Sequence, residues 1–181
     1  MEERRQNQRK VSTYRPACIE IDGQPHVALM RDISALGAGF ESSLTLARGQ
    51  ALRYRWGNEE FREAEVSWFS DGRFGVSHSL DTRPNDHPCR YAYRSVRVPK
   101  KCEAAVYVAG ERIGALLSNF SQRGIGLRME CELTTGTLVT LRCGGRYFEG
   151  ASVRWTRFGV IGFNLATALS VPDMESLALV A

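Results

Sequence analysis

The stretch RDISALGAGF, Arg31–Phe40, sets two glycines one residue apart at the head of an apolar run. Gly37 and Gly39 are poor strand residues, because glycine loses the most chain entropy on ordering and offers no side chain to pack. A loop, however, seldom ends in an apolar run. Read locally, Asp32, Ser34 and Gly37 are a strand end followed by an Asx or Ser turn. The same pattern returns as NFSQRG, Asn119–Gly124, and that repetition decides the fold.

Shifted by 87 residues, the chain matches itself from Val11–Val76 to Val98–Phe163 without a gap, with 18 of 66 positions identical. Unrelated stretches of ordinary composition would share about four. The identities pair Gly23 with Gly110, Ser34 with Ser121, Gly37 with Gly124 and Gly39 with Gly126. They continue through Gly49 and Gly136, Trp68 and Trp155, and Gly75 and Gly162. Recurring glycines imply a shared backbone geometry, so the chain is a duplication.

Between the glycines the periodicity is that of strands. ACIEI, HVALM, ALRYRW, AEVSW and FGVSH in the first copy are short and bounded by turn residues. So are AAVYV, ALL, LVTLRC, ASVRW and VIGFNL in the second. This spacing predicts an all-β protein of two tandem small antiparallel barrels. DTRPNDHPCR, Asp81–Arg90, is polar with two prolines and reads as the linker. The expected organisation is a first domain over 1–82, a linker over 83–92 and a second domain over 93–181. PDMESLALVA reads as a short C-terminal helix starting at Pro172 or Asp173 and packing on the second barrel.

Composition narrows the functional classes. A net charge of +4 leans toward an anionic partner. Five cysteines without a CxxC pair, and no signal peptide, predict reduced thiols used for packing in a cytoplasmic protein. No apolar run approaches the ~20 residues needed to span a bilayer, which predicts a soluble chain with no membrane insertion. His26, His78 and His87 stand far apart without metal-ligand spacing, so neither a metal, a cofactor nor a catalytic residue is expected.

Two motifs carry binding chemistry. RRQNQR supplies Arg4, Arg5 and Arg9 ahead of the first strand. A guanidinium stacks on a planar base and grips a phosphate, or the Hoogsteen edge of guanine, with two donors at once. Asp32 is an acceptor suited to the N1 and N2 donors of guanine, Ser34 can bond phosphate or backbone, and Gly37 lets the main chain turn closely.

Together these motifs resemble the PilZ domain, a small bacterial β-barrel that binds cyclic diguanylate (cyclic di-GMP). Its signature is RxxxR in an N-terminal loop followed by (D/N)xSxxG, and here Arg5 and Arg9, then Asp32, Ser34 and Gly37, fit. VSWFSDGRFGV is similar to the family's later strand pair around a Trp and a Gly, so the resemblance covers residues 4–80. In the second copy Asn119, Ser121 and Gly124 fit (D/N)xSxxG, and RYAYR offers Arg90 and Arg94 as a formal RxxxR. RVP at 97–99, however, resembles the segment that follows the second arginine, which would put Tyr93 in place of the first. The second site is therefore expected to be weaker or degenerate.

The resemblance implies a non-catalytic cyclic di-GMP receptor signalling to an effector protein. Residues 2–10 carry no apolar side chain, so the arginine segment is expected to order only over a bound ligand. Two alternatives are a ligand-independent protein-interaction module and a single-stranded nucleic-acid binder using LRYRW. Nucleic acid is disfavoured because Leu52, Tyr54 and Trp56 share one strand face and should pack, leaving Arg53 and Arg55 in solvent.

Overall fold

The computed structural model describes residues 14–78 and 94–180. The chain divides into two compact units, the first ending at Val96 and the second beginning at Arg97. The arginine segment with Arg4, Arg5 and Arg9, and the linker with Arg90, lie outside the described residues.

The first unit contains β1 (Arg15–Ile21), β2 (Gln24–Ile33), β3 (Gly37–Glu41), β4 (Ala51–Trp56), β5 (Arg62–Ser70) and β6 (Arg73–His78). They pair in the order β1-β2-β3-β6-β5-β4, and β1 pairs β4 to close the barrel. The second unit repeats the plan with β7 (Val98–Val108), β8 (Glu111–Ser121), β9 (Gly124–Arg128), β10 (Leu138–Cys143), β11 (Arg146–Arg157) and β12 (Val160–Asn164). Its order is β10-β11-β12-β9-β8-β7, closed by β7 on β10. Each barrel thus leaves no sheet edge unpaired.

Strand alternation supplies the interior. Ala17, Ile19, Ala28, Met30, Phe40, Tyr54, Val66, Phe74 and Val76 all point into the first barrel. Phe40 stacks on Phe74 at 5.1 Å and meets Tyr54 edge-on at 5.0 Å. Ala17, Ala28, Ala38 and Ala64 share this interior, and small residues alongside large rings let six strands close. The hairpins turn on two-residue loops whose first residue is left-handed: Asp22 (φ 49), Asp71 (φ 49), Ala109 (φ 49) and Phe158 (φ 50), each followed by a glycine. The described cysteines are free, and Cys18, Cys102 and Cys143 are buried, as expected of small apolar packers.

Two expectations need correction. GAGFE and GIGLR are strands, β3 and β9, despite their glycines. A Cβ at Gly37 would fall on the Val76 carbonyl oxygen, and one at Gly39 would lie 2.9 Å from a carboxylate oxygen of Asp32. Both positions are strand residues whose outer face is already occupied, so the entropic cost of glycine is offset by the space it leaves. Second, Arg53 and Arg55 face outward as expected but are only partly in solvent, the Arg53 side chain being 43% exposed. Their guanidiniums lie over the Phe61 ring at 4.6 and 4.8 Å, and Arg53 Nε donates to Glu20 at 2.8 Å.

The C-terminal helix α1 runs Val171–Leu179 from an N-cap at Ser170, one to two residues earlier than expected. The Ser170 hydroxyl accepts from the Asp173 amide at 3.2 Å, and the Asp173 carboxylate accepts from the Ser170 amide at 3.2 Å. This reciprocal pair satisfies two helix-end donors. Met174, Leu177 and Ala178 are buried. Leu177 and Val180 crowd Gly144, at the end of β10, and Lys100 Nζ donates to the Ala178 carbonyl at 2.7 Å. The helix therefore covers one end of the second barrel, as expected. The positions at that end matching Tyr54, Trp56 and His78 are Leu141, Cys143 and Leu165, all buried.

Hydrogen bonds from Ser170, then from Arg146, hold the Asp173 carboxyl at about 2, below the usual carboxylate range. A depressed folded-state pKa means its stabilisation is complete above pH ~4 and is lost as pH falls. Ser170→Ala should lower unfolding free energy by about 1 kcal/mol in urea titrations and flatten the loss of stability between pH ~4 and ~2. An unchanged urea midpoint would contradict the capping role.

A Cβ at Gly75 would fall inside the Trp68 indole. Gly75→Ala should therefore destabilise by about 1–3 kcal/mol, as overpacking does. The same change in a Trp68→Ala background should cost much less, and equal losses in the two backgrounds would separate the residues.

Candidate functional site

The duplicated motif closes a tight turn between β2 and β3. Ser34 N donates to the Gly37 carbonyl at 2.8 Å and Ser34 Oγ to the same oxygen at 3.2 Å, while the Leu36 amide donates to Ser34 Oγ at 3.3 Å. Ser34 thus spends its hydroxyl on backbone, one of the two roles its chemistry allowed. Gly37 is required because no Cβ fits against β6. In the second barrel Ser121 Oγ donates to the Gly124 carbonyl at 3.4 Å, the same turn.

Asp32 belongs to a larger arrangement. It sits opposite Gly39, Gly39 opposite Gly75, and Gly75 opposite Trp68, so the four form one transverse row across β2, β3, β6 and β5. Residues paired directly share a face of the sheet, and Ala38, Phe40, Phe74 and Val76 occupy the opposite, buried face. The register shifts between Met30 and Asp32 and between Val66 and Trp68 place an irregularity at each end of the row. Such bulges re-aim side chains. Here the Asp32 carboxylate lies against Gly39 and the Trp68 indole against Gly75.

The result is a pair of glycines roofed by a carboxylate and a half-exposed indole. Lacking side chains of their own, the glycines let both groups lie low on the sheet, so a planar ring approaches over the indole and beside the carboxylate rather than over bare backbone. Trp68 is 46% exposed and offers a stacking face. Asp32 offers acceptors to a ring with adjacent N–H donors. Sequence reasoning found Gly39, Gly75 and Trp68 among the repeat identities but gave them no binding role. Their joint recurrence in both copies was the available signal.

The second barrel rebuilds the row from Asn119, Gly126, Gly162 and Trp155. A Cβ at Gly126 would stand 3.0 Å from Asn119 Nδ2, and one at Gly162 would overlap the Trp155 indole. Two differences separate the copies. Asn119 carries no charge where Asp32 has one. The residue 87 positions after Arg9 is Val96, which is fully buried. Arg94 is exposed, and its carbonyl lies 3.3 Å from where a Gly57 Cβ would stand, beside the end of β4 in the first unit.

His78, beside this turn at the end of β6, is a structural residue. Its amide donates to the Leu36 carbonyl at 3.2 Å, and its ring stacks on Tyr54 within 3.3 Å of the phenol oxygen. Burial holds its imidazole below the ordinary histidine range, partly offset by a hydrogen bond with the Ser34 backbone. Nearby, the Arg62 guanidinium lies 4.5 Å over Trp56, with Nη1 buried and unbonded. No group of three or more His, Cys, Asp and Glu among the described residues could hold a metal ion.

Among solved structures, the chain is similar to the inhibitor of motility of Bacillus subtilis, MotI/DgrA, at 12% identity and a TM-score of 0.42. That match covers 93% of this chain and 96% of the other. It is also similar to PlzA of Borreliella burgdorferi, solved with c-di-GMP, at 9% identity and a TM-score of 0.37, covering 98% and 95% of the two chains. MrkH of K. pneumonia, also solved with c-di-GMP, matches at 11% identity and a TM-score of 0.35, covering 91% and 84%. No curated protein matches the sequence. The family model of the PilZ domain matches residues 3–94, which hold the arginine segment, the Asp32–Gly37 turn and the whole first barrel. The match spans half of the chain, and with it the chain belongs to the PilZ domain family.

Proposed function

We propose that this chain is a non-catalytic receptor for cyclic di-GMP, and that the first barrel is its principal site. The observation that carries the reading is the row Asp32, Gly39, Gly75 and Trp68 on the outer face of a barrel whose family match also takes in Arg4, Arg5 and Arg9. A guanine base packs on the exposed face of Trp68, which itself lies over Gly75, while Asp32 accepts from its N1 and N2 hydrogens. The arginines supply charge-assisted bonds to phosphate and the Hoogsteen edge. Ser34 and Gly37 hold the turn that sets Asp32 at the end of the row. The receptor passes its occupancy to an effector protein when the arginine segment orders over the ligand.

The second barrel keeps the glycines and the indole but presents an amide in place of the carboxylate, and its counterpart of Arg9 is buried as Val96. Its site, built on Asn119, Ser121 and Gly124 with Arg90 and Arg94, is the weaker one.

Calorimetry with cyclic di-GMP on the full chain tests this reading. Arg9→Ala should weaken binding about 10-fold or more, by loss of one charge-assisted contact. Trp68→Ala should cost about 1–3 kcal/mol of binding, as removal of one base–aromatic stack does. Unchanged affinity in Arg9→Ala would overturn the assignment. Asp32→Ala should remove the tight site while Asn119→Ala leaves it intact, and equal effects would show two equivalent barrels.

A further inference from the structure

The two barrels serve as controls for one another at the β11–β12 hairpin. In the first barrel the equivalent hairpin joins β5 to β6 through Asp71 and Gly72, with Asp71 at φ 49. The second barrel puts Phe158 at that corner with φ 50, and its side chain is 99% exposed. Aspartate tolerates the left-handed region, whereas a bulky side chain there is an outlier. A fully exposed phenyl ring also gives nothing to its own barrel.

The change extends across the adjoining strands. In the first barrel Leu29, Glu41, Arg73 and Ser70 form a transverse row, in which Glu41 pairs with Arg73 at 3.5 Å and with Arg31 at 2.7 Å. The matching row of the second barrel is Leu116, Arg128, Val160 and Arg157. Its acid has become an arginine, and the position of Arg31 is Ser118. Arg128 and Arg157 form no ion pair among the described residues, and Leu116 is 53% exposed. An ion-paired surface has thus become two uncompensated guanidiniums around Leu116, Val160 and a projecting Phe158.

We propose that this corner of the second barrel docks on a partner protein that offers an apolar pocket for Phe158 rimmed by carboxylates. Aromatic and arginine side chains are the usual anchors of such contacts, and the unpaired charges select an acidic rim. A second copy of this chain is disfavoured, because pairing the patch with itself sets like charges together. An anionic bilayer is disfavoured because two basic residues fall short of the roughly four to eight that mark lipid-binding clusters.

The test uses the full chain in the cells that make it, with a photoreactive phenylalanine analogue at position 158. Irradiation should give one discrete adduct with another protein, and Arg128→Glu together with Arg157→Ser should abolish it. The captured protein, purified, should bind the wild-type chain at least 10-fold more tightly than Phe158→Asp. That variant installs the residue of the first barrel's own turn, so it should fold and melt like wild type and keep its affinity for cyclic di-GMP. No adduct, a spread of many adducts, a self-adduct or adducts with lipid only would overturn the proposal. So would equal affinity of the partner for wild type and Phe158→Asp.

Discussion

Two glycines facing each other across paired strands, Gly39 on β3 and Gly75 on β6, are the constraint from which the outer face of the first barrel is built. A side chain at either position would occupy the volume that the Asp32 carboxylate and the Trp68 indole take. The irregularities before Asp32 and Trp68 turn those side chains along the sheet, over the glycines. A glycine inside a strand normally weakens it, and here the loss is offset by cross-strand packing of a large aromatic on bare backbone. The second barrel repeats the solution with Gly126, Gly162, Asn119 and Trp155.

The barrels differ at their ends and share their walls. At the end nearest the turn, the first barrel places Tyr54, Trp56, Arg62 and His78, with His78 tied to the Leu36 carbonyl. The second fills that end with Leu141, Cys143 and Leu165, and lays α1 over it. There the turn is bonded by the segment leading into the helix, through the amides of Leu165 and Leu169 to the carbonyls of Arg123 and Gln122. One copy keeps a polar end beside its carboxylate, and the other has invested the same end in a core. This asymmetry fits the loss of charge from Asp32 to Asn119.

Cysteine and histidine follow the same logic of burial. Desolvation pushes the Cys18 thiol up to about 11 and the Cys143 thiol up to about 12. Such thiols stay protonated and unreactive at neutral pH, consistent with their use as small packing groups. Burial likewise lowers the His78 imidazole from its ordinary range and so favours the uncharged ring that stacks on Tyr54.

The sequence alone determined the duplication, the all-β class, the barrel architecture, the C-terminal helix and the residues of the Asp32–Gly37 turn. Those features are written in local alternation and in the repetition of glycines at a constant offset, and both survive without knowledge of contacts. It failed at β3 and β9, because glycine's local preference against strands is real and only the neighbouring strand shows why it is overridden. It was incomplete at Arg53 and Arg55 for a similar reason: alternation rightly placed them outside the barrel, but Phe61 and Glu20, brought alongside by folding, partly cover them there. Only the tertiary structure joined Asp32 to Trp68, 36 residues apart in the chain, since a transverse row depends on strand register. Register is set by which faces are buried and where the bulges fall, and neither can be counted off along a single strand.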